Sequence, residues 1–116
     1  MQKRFESKTV LVTGGAGGIG DAICRRFASE GGHVWVLDSN SEGSDALVRS
    51  IRNTGGQADN QILDLTDGAA IHTCIEYIVS LGHNIDVVCN NAGINRRGPL
   101  MELTEQDWSL SFKVNL

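Results

Sequence analysis

The stretch Thr9-Val10-Leu11-Val12-Thr13-Gly14-Gly15-Ala16-Gly17-Gly18-Ile19-Gly20 decides the fold. Its first five residues form a β-branched and apolar run that reads as a buried strand. Glycines interrupt that run at once. Beyond them Ile19, Ala22, Ile23 and Phe27 recur at helical spacing, until Gly31-Gly32 ends the pattern. The segment therefore reads as a strand that passes through a tight glycine turn straight into a helix.

Working outward, the same alternation repeats. His33 to Asp38 is a second strand, and Ser41-Glu42 caps a helix that carries Leu47, Val48 and Ile51 on one face before Gly55-Gly56. Ala58 to Leu65 is a weaker third strand, diluted by Asp59, Asn60 and Gln61. Ile71, Cys74, Ile75, Ile78 and Val79 make the cleanest helical stripe, stopped by Gly82, and Ile85 to Asn90 is a fourth strand. Thr104-Glu105-Gln106-Asp107 opens a capped helix with Trp108, Phe112 and Leu116 at i, i+4, i+8. Strands alternating with helices of this length predict a parallel sheet with right-handed crossovers. Apolar strands without polar alternation predict that both faces are covered. The expected fold is a partial α/β, Rossmann-type doubly wound sheet of about four strands in the order 3-2-1-4. It is expected to form one domain over residues 1–116. The last helix reaches the end of the chain with no stop signal.

Glycines at the first strand–helix junction have a chemical reading. A dinucleotide pyrophosphate needs a tight turn, a backbone it can approach closely, and free N–H groups at a helix N-terminus. Thr13 to Gly20 supplies all three in the required context. A P-loop is disfavoured, because no Lys-Ser or Lys-Thr follows the glycines. Asp38 ends the second strand, eighteen residues past Gly20. A carboxylate there accepts hydrogen bonds from both adenosine ribose hydroxyls and repels a 2′-phosphate. No arginine or lysine lies in the glycine loop or just after Asp38, so NAD is expected rather than NADP.

Bulk properties narrow the partners. A net charge of -4 argues against nucleic acid and anionic membrane surfaces, and the basic residues are scattered. The start, Met1 to Lys8, does not resemble a signal peptide, and no apolar run approaches spanning length. Cys24, Cys74 and Cys89 are an odd number without CxxC spacing, so no disulfide framework and no metal site is expected. Buried free thiols fit a reducing compartment, and the cytoplasm is the expected location.

The motifs together resemble the N-terminal half of the short-chain dehydrogenase/reductase family, over residues 8–116. The glycine segment fits that family's TGxxxGxG pattern through Thr13, Gly14, Gly18 and Gly20, with Ile19 inside it. It also fits the TGxxGxxG variant of the longer-chain branch through Gly17, so this motif alone does not choose the branch. Asn90-Asn91-Ala92-Gly93, closing the fourth strand, is similar to the NNAG signature of the shorter-chain branch. The resemblance implies cofactor contacts at Asn91, Ala92 and Gly93. It implies that Asp64 accepts from the adenine amino group while the Leu65 N–H donates to the ring. It also implies that Asn115 takes the catalytic position beside a proton-relay water.

The same family uses a tyrosine as general acid/base, a lysine four residues later and an upstream serine. The lysine favours the phenolate, because a nearby positive charge lowers the tyrosine pKa. Here the single tyrosine is Tyr77, and Leu81 stands where the lysine belongs. Tyr77 lies on an apolar helix and reads as core. His33, His72 and His83 read as structural or exposed. The expected function is therefore an NAD-dependent oxidoreductase acting between an alcohol and a carbonyl, present as its dinucleotide-binding half. Alone it is expected to be inactive, and to associate with itself or with the missing half. The alternative is a non-catalytic dinucleotide-binding or interaction module. A methyltransferase-like domain fits Thr13 and Asn90 to Gly93 poorly.

Overall fold

The centre of the sheet is built from two strands that the sequence makes apolar on both sides, Thr9–Thr13 and His33–Asp38, whereas the edge strand Gln57–Ile62 is mainly polar. The structure, a computed structural model, is described for residues 3–91. The elements run β1 (Thr9–Thr13), α1 (Gly18–Ser29), β2 (His33–Asp38), α2 (Ser41–Asn53), β3 (Gln57–Ile62), α3 (Gly68–Ser80) and β4 (Ile85–Asn90). The four strands are parallel, as the alternation predicts, and their order β3-β2-β1-β4 is that of the expected Rossmann-type sheet. The expected last helix lies outside the described residues.

Successive residues of β1 and β2 point to opposite faces, and each face has its own core. Leu11, Trp35 and Leu37 pack with Ile71, Cys74, Ile75 and Ile78 of α3. Val10, Val12, Val34 and Val36 pack with Cys24 and Ala28 of α1 and with Leu47, Val48 and Ile51 of α2. Fully burying a side chain of this size contributes about 1.5–3 kcal/mol. An exposed pair such as Arg25–Asp21 contributes about 0–1 kcal/mol. Packing against the two faces of the sheet therefore dominates the stability.

β4 departs from simple alternation. Thr9 pairs with Ile85 but Val10 pairs with Val87, leaving Asp86 as an extra residue in the ladder. Its carboxylate accepts the Thr9 N–H at 2.9 Å, so the displaced donor keeps a partner. The bulge resets the phase of the strand: Ile85 and Val88 face the α3 side, while Val87 and Cys89 face the α1 side.

Four sequence expectations change. The face that α1 buries is Gly20, Cys24 and Ala28, with Ile23 and Phe27 half-buried; Ile19 and Ala22 are exposed. A glycine carries no hydrophobic signal, so the stripe read from side chains was rotated around the helix. Tyr77 is 46% exposed rather than core, since it flanks the Ile71–Cys74–Ile75–Ile78 stripe and meets only the edge of Trp35. β3 ends at Ile62, which leaves Asp64 and Leu65 in the turn beyond it. The cap of α2 is Asn40, not Ser41-Glu42: its side chain accepts the Gly43 N–H at 2.9 Å.

The segment before β1 is clamped to the far end of α1. Glu30 caps that helix at its negative end, an unfavourable place for a carboxylate, yet it is buried. Arg4 bonds both of its oxygens, with Nη2 to Oε2 at 2.9 Å, and Arg26 Nε reaches Oε2 at 2.8 Å. The Arg4 guanidinium first, and then that of Arg26, hold the Glu30 carboxyl down from its ordinary 4.5 to about 2. A carboxylate depressed on folding stabilises the fold fully above its ordinary value and loses that contribution as pH falls through the folded one. The urea midpoint should accordingly drop between pH 5 and pH 2, and Glu30→Gln should shrink that drop. A midpoint in the unaltered chain that stays level across this window would refute the clamp.

Candidate functional site

The C-terminal ends of the strands carry the residues singled out in the sequence. After β1 the chain turns toward β2, whereas β4 lies on the other side of β1. In open parallel sheets a crevice opens where the direction of winding reverses, and ligands bind there. The glycine turn sits at this point.

Gly14 leaves β1 with φ +68, the left-handed region that favours glycine, while its N–H still donates to Leu37 O at 2.8 Å. Gly20, in the first turn of α1, packs directly on that turn: a Cβ there would lie 2.2 Å from Gly14 O and 2.8 Å from Gly15 Cα. On the outer side the space is open, with nothing within 4 Å of a Cβ at Gly17 or Gly18. Gly17 is the N-cap of α1 and no side chain caps this end. The contrast with α2 and α3 is informative, since Asn40 and Asp67 cap those helices with their own side chains. The first N–H groups of α1, around Gly18, Ile19 and Gly20, thus face a side-chain-free approach at the positive end of the helix. Ile19 stands 69% exposed beside it.

Asp38 closes the site from β2. Its Oδ2 accepts the Ala16 N–H at 3.0 Å and its Oδ1 accepts the Asn40 N–H at 2.9 Å. These two bonds fix the carboxylate against the glycine turn. Each oxygen retains a second lone-pair direction for a hydroxyl donor. On the other side, Thr13 Oγ1 is within 3.3 Å of Asn90 Oδ1 and 3.4 Å of Cys89 O, and Asn91 Nδ2 donates to Gly14 O at 3.2 Å. Thr13 and Asn91 therefore tie the ends of β1 and β4 together beneath the turn.

Asp64 is exposed, and its Oδ1 accepts from Thr66 Oγ1 at 2.6 Å and Thr66 N–H at 2.8 Å. Those bonds, the hydroxyl first, lower its carboxyl below the ordinary range. Leu65 is half-buried against the α3-side core. Ala92, Gly93 and Asn115 lie outside the described residues. Sequence reasoning missed the part played by Asn40 and by the Ala16 N–H. An Asn directly before a helix was the available signal for the first.

Burial disfavours the thiolate form of Cys24, Cys74 and Cys89. Burial pushes Cys24 up to about 12 and Cys74 up to about 11, so both stay protonated at neutral pH. Among the described residues no group of histidine, cysteine or carboxylate side chains could hold a metal ion, and no helix is long and apolar enough to cross a membrane.

Known proteins resemble this chain in sequence and fold. The 3-oxoacyl-[acyl-carrier-protein] reductase of Thermotoga maritima is 40% identical over 113 residues, covering 97% of this chain and 46% of that protein. A metagenomic short-chain oxidoreductase solved in complex with NADP is 31% identical with a TM-score of 0.75, over 90% of this chain and 48% of that one. A gluconate 5-dehydrogenase from Burkholderia cenocepacia, solved with NADP and tartrate, is 32% identical with a TM-score of 0.72, over 95% of this chain and 43% of that one. The chain thus spans less than half the length of the relatives it matches. The family model described as short chain dehydrogenase matches residues 8–116. With that match on the glycine turn, the parallel sheet and the β4 junction, the chain belongs to the short-chain dehydrogenase family.

Proposed function

We propose that residues 1–116 form the dinucleotide-binding domain of an NAD(H)-dependent oxidoreductase acting between an alcohol and a carbonyl. The observation that carries this reading is the Asp38 carboxylate, fixed at 3.0 Å from the Ala16 N–H beside an uncapped helix N-terminus. The residues fit the cofactor. N–H groups around Gly18, Ile19 and Gly20 would take the pyrophosphate, and Asp38 the adenosine ribose hydroxyls. Asp64 and Leu65 would take the adenine, while Thr13, Gly14, Asn91, Ala92 and Gly93 would shape the floor toward the nicotinamide. Asn115 would hold a relay water. Bound there, the nicotinamide accepts or supplies the hydride.

NADP occupies the two solved relatives described above. The proposal of NAD for this chain rests on its own charges: the Asp38 carboxylate would repel a 2′-phosphate, and Ala16, Ser39 and Asn40 around it offer no cation. Titration of the unaltered chain with NADH and NADPH tests the choice. A cytoplasmic location is in keeping with three free cysteines.

For the reaction itself these residues position and orient but do not supply the acid/base. Tyr77 is exposed on α3, and Leu81 follows it where a lysine would be needed. Positioned proton transfer is typically worth about 10²–10⁴-fold in rate. The 116-residue chain with NADH and a panel of ketones should show no turnover in an absorbance assay. Robust turnover by pure protein would place the acid/base within this chain and contradict the proposal. The outer edge of β4 pairs with no strand among the described residues. Such an edge is a template for pairing, and we expect the chain to associate with itself or with further chain from a longer protein. Light scattering that finds only monomer at high micromolar concentration would oppose this.

A further inference from the structure

We propose that Asn40 and Gly43 are positioning residues that hold the Asp38 carboxylate in the orientation that selects NAD(H) over NADP(H). The inference rests on the reading of Asp38 as the ribose acceptor. Three parts of the chain meet here: the end of β2, the start of α2 and the glycine turn. The Asn40 N–H donates to Asp38 Oδ1 at 2.9 Å, and the Asn40 side-chain Oδ1 accepts the Gly43 N–H at 2.9 Å. The other Asp38 oxygen accepts from Ala16 at 3.0 Å. One asparagine thus connects the first turn of α2 to the carboxylate, and the carboxylate connects it to the glycine turn.

Gly43 is the third residue of α2, a position where a helix favours almost any residue over glycine. The space explains its presence. A Cβ at Gly43 would lie 2.7 Å from Asn40 Nδ2, 3.1 Å from Asn40 Cγ and 3.3 Å from Ala16 Cβ. A side chain there must displace the Asn40 amide or push Ala16, and Ala16 carries the N–H that fixes Asp38. Capping alone does not demand the glycine. In α3 the Asp67 carboxylate accepts from Ala69 at 3.1 Å and from Ala70 at 3.2 Å, with alanine at the equivalent third position. What differs at α2 is the contact with the glycine turn. Glycine is kept at position 43 by the site, against the preference of the helix.

The test compares the ratio of NADPH to NADH dissociation constants in the unaltered chain, Gly43→Ala, Asn40→Ala, Asn40→Ser and Asp38→Ala, each with its urea midpoint. Gly43→Ala should keep its urea midpoint close to that of the unaltered chain, because the better helix former offsets the displaced Asn40 cap. Its ratio should nevertheless fall roughly tenfold, the effect of misdirecting one charge-assisted hydrogen bond. Asn40→Ala should lower the ratio likewise. Both Asn40 variants keep the backbone donor to Asp38, but Asn40→Ser alone keeps a capping oxygen for the Gly43 N–H, and it should restore the ratio to within about twofold. A purely structural role would move the urea midpoint and leave the ratio alone. If Asp38→Ala itself leaves the ratio unchanged, or the unaltered chain binds neither dinucleotide, the reading of Asp38 fails and this inference with it. If Asp38→Ala collapses the ratio while either Gly43→Ala or Asn40→Ala leaves it within about twofold, the inference alone is overturned.

Discussion

Gly20→Ala should cost the fold about 1–3 kcal/mol or more and abolish dinucleotide binding, although alanine is the better helix former. In an open helical position the exchange would gain about 0.8–1 kcal/mol. Here the new Cβ would stand 2.2 Å from Gly14 O and 2.8 Å from Gly15 Cα, both backbone atoms with nowhere to rotate. Relief requires α1 to move off β1 or the turn to open. Either motion disturbs the bond from Gly14 N–H to Leu37 O and the bond from Asn91 Nδ2 to Gly14 O. The loss is large against a total stability of about 5–15 kcal/mol for such a domain. Gly18→Ala is the control, since nothing lies within 4 Å of its Cβ. That variant should keep or raise the urea midpoint while weakening NADH, because the methyl group enters the open approach. Equal midpoints for Gly20→Ala and the unaltered chain would show that the turn and helix are not in the contact described.

Asp38→Ala should bring the affinities for NADH and NADPH together. The carboxylate would accept from ribose hydroxyls, and a hydrogen bond to a charged group is worth about 1.5–3 kcal/mol, or roughly tenfold to a hundredfold in affinity. Its removal weakens NADH. It also removes the negative charge that opposes a 2′-phosphate, so NADPH should gain. Asp38→Asn separates the two effects, because the amide preserves the shape and one acceptor while discarding the charge. NADPH should improve in both variants, whereas NADH should suffer more in Asp38→Ala. Unchanged affinities in the two variants would remove Asp38 from the site.

Much of this arrangement is legible in the sequence because its causes are local. Thr9 to Gly20 announces strand, turn and helix through residues adjacent in the chain, and Asp38 closes a strand whose apolar run is unbroken. The parallel pairing follows from the alternation of strands and helices, and the order 3-2-1-4 is the one that a Rossmann-type, doubly wound sheet takes. The features that were not legible depend on contacts between distant segments. The Asp86 bulge exists because a carboxylate in β4 finds the Thr9 N–H, seventy-seven residues away in sequence. The buried face of α1 turns on Gly20, which has no side chain to reveal it. Tyr77 offers an aromatic ring to the sequence pattern, yet its place at the flank of α3 is fixed by how that helix rolls onto Trp35. The brace through Asn40 and Gly43 became visible only once α2 was seen against Ala16.

The centre of the site is the pairing of an uncapped glycine turn with a fixed carboxylate. Calorimetric titration of the unaltered chain with NADH and, separately, NADPH at the same ionic strength tests that pairing most directly. Saturable binding with NADH the tighter by roughly tenfold or more is the predicted result. Tighter binding of NADPH would contradict the assignment of Asp38, and with it the cofactor proposed for this chain.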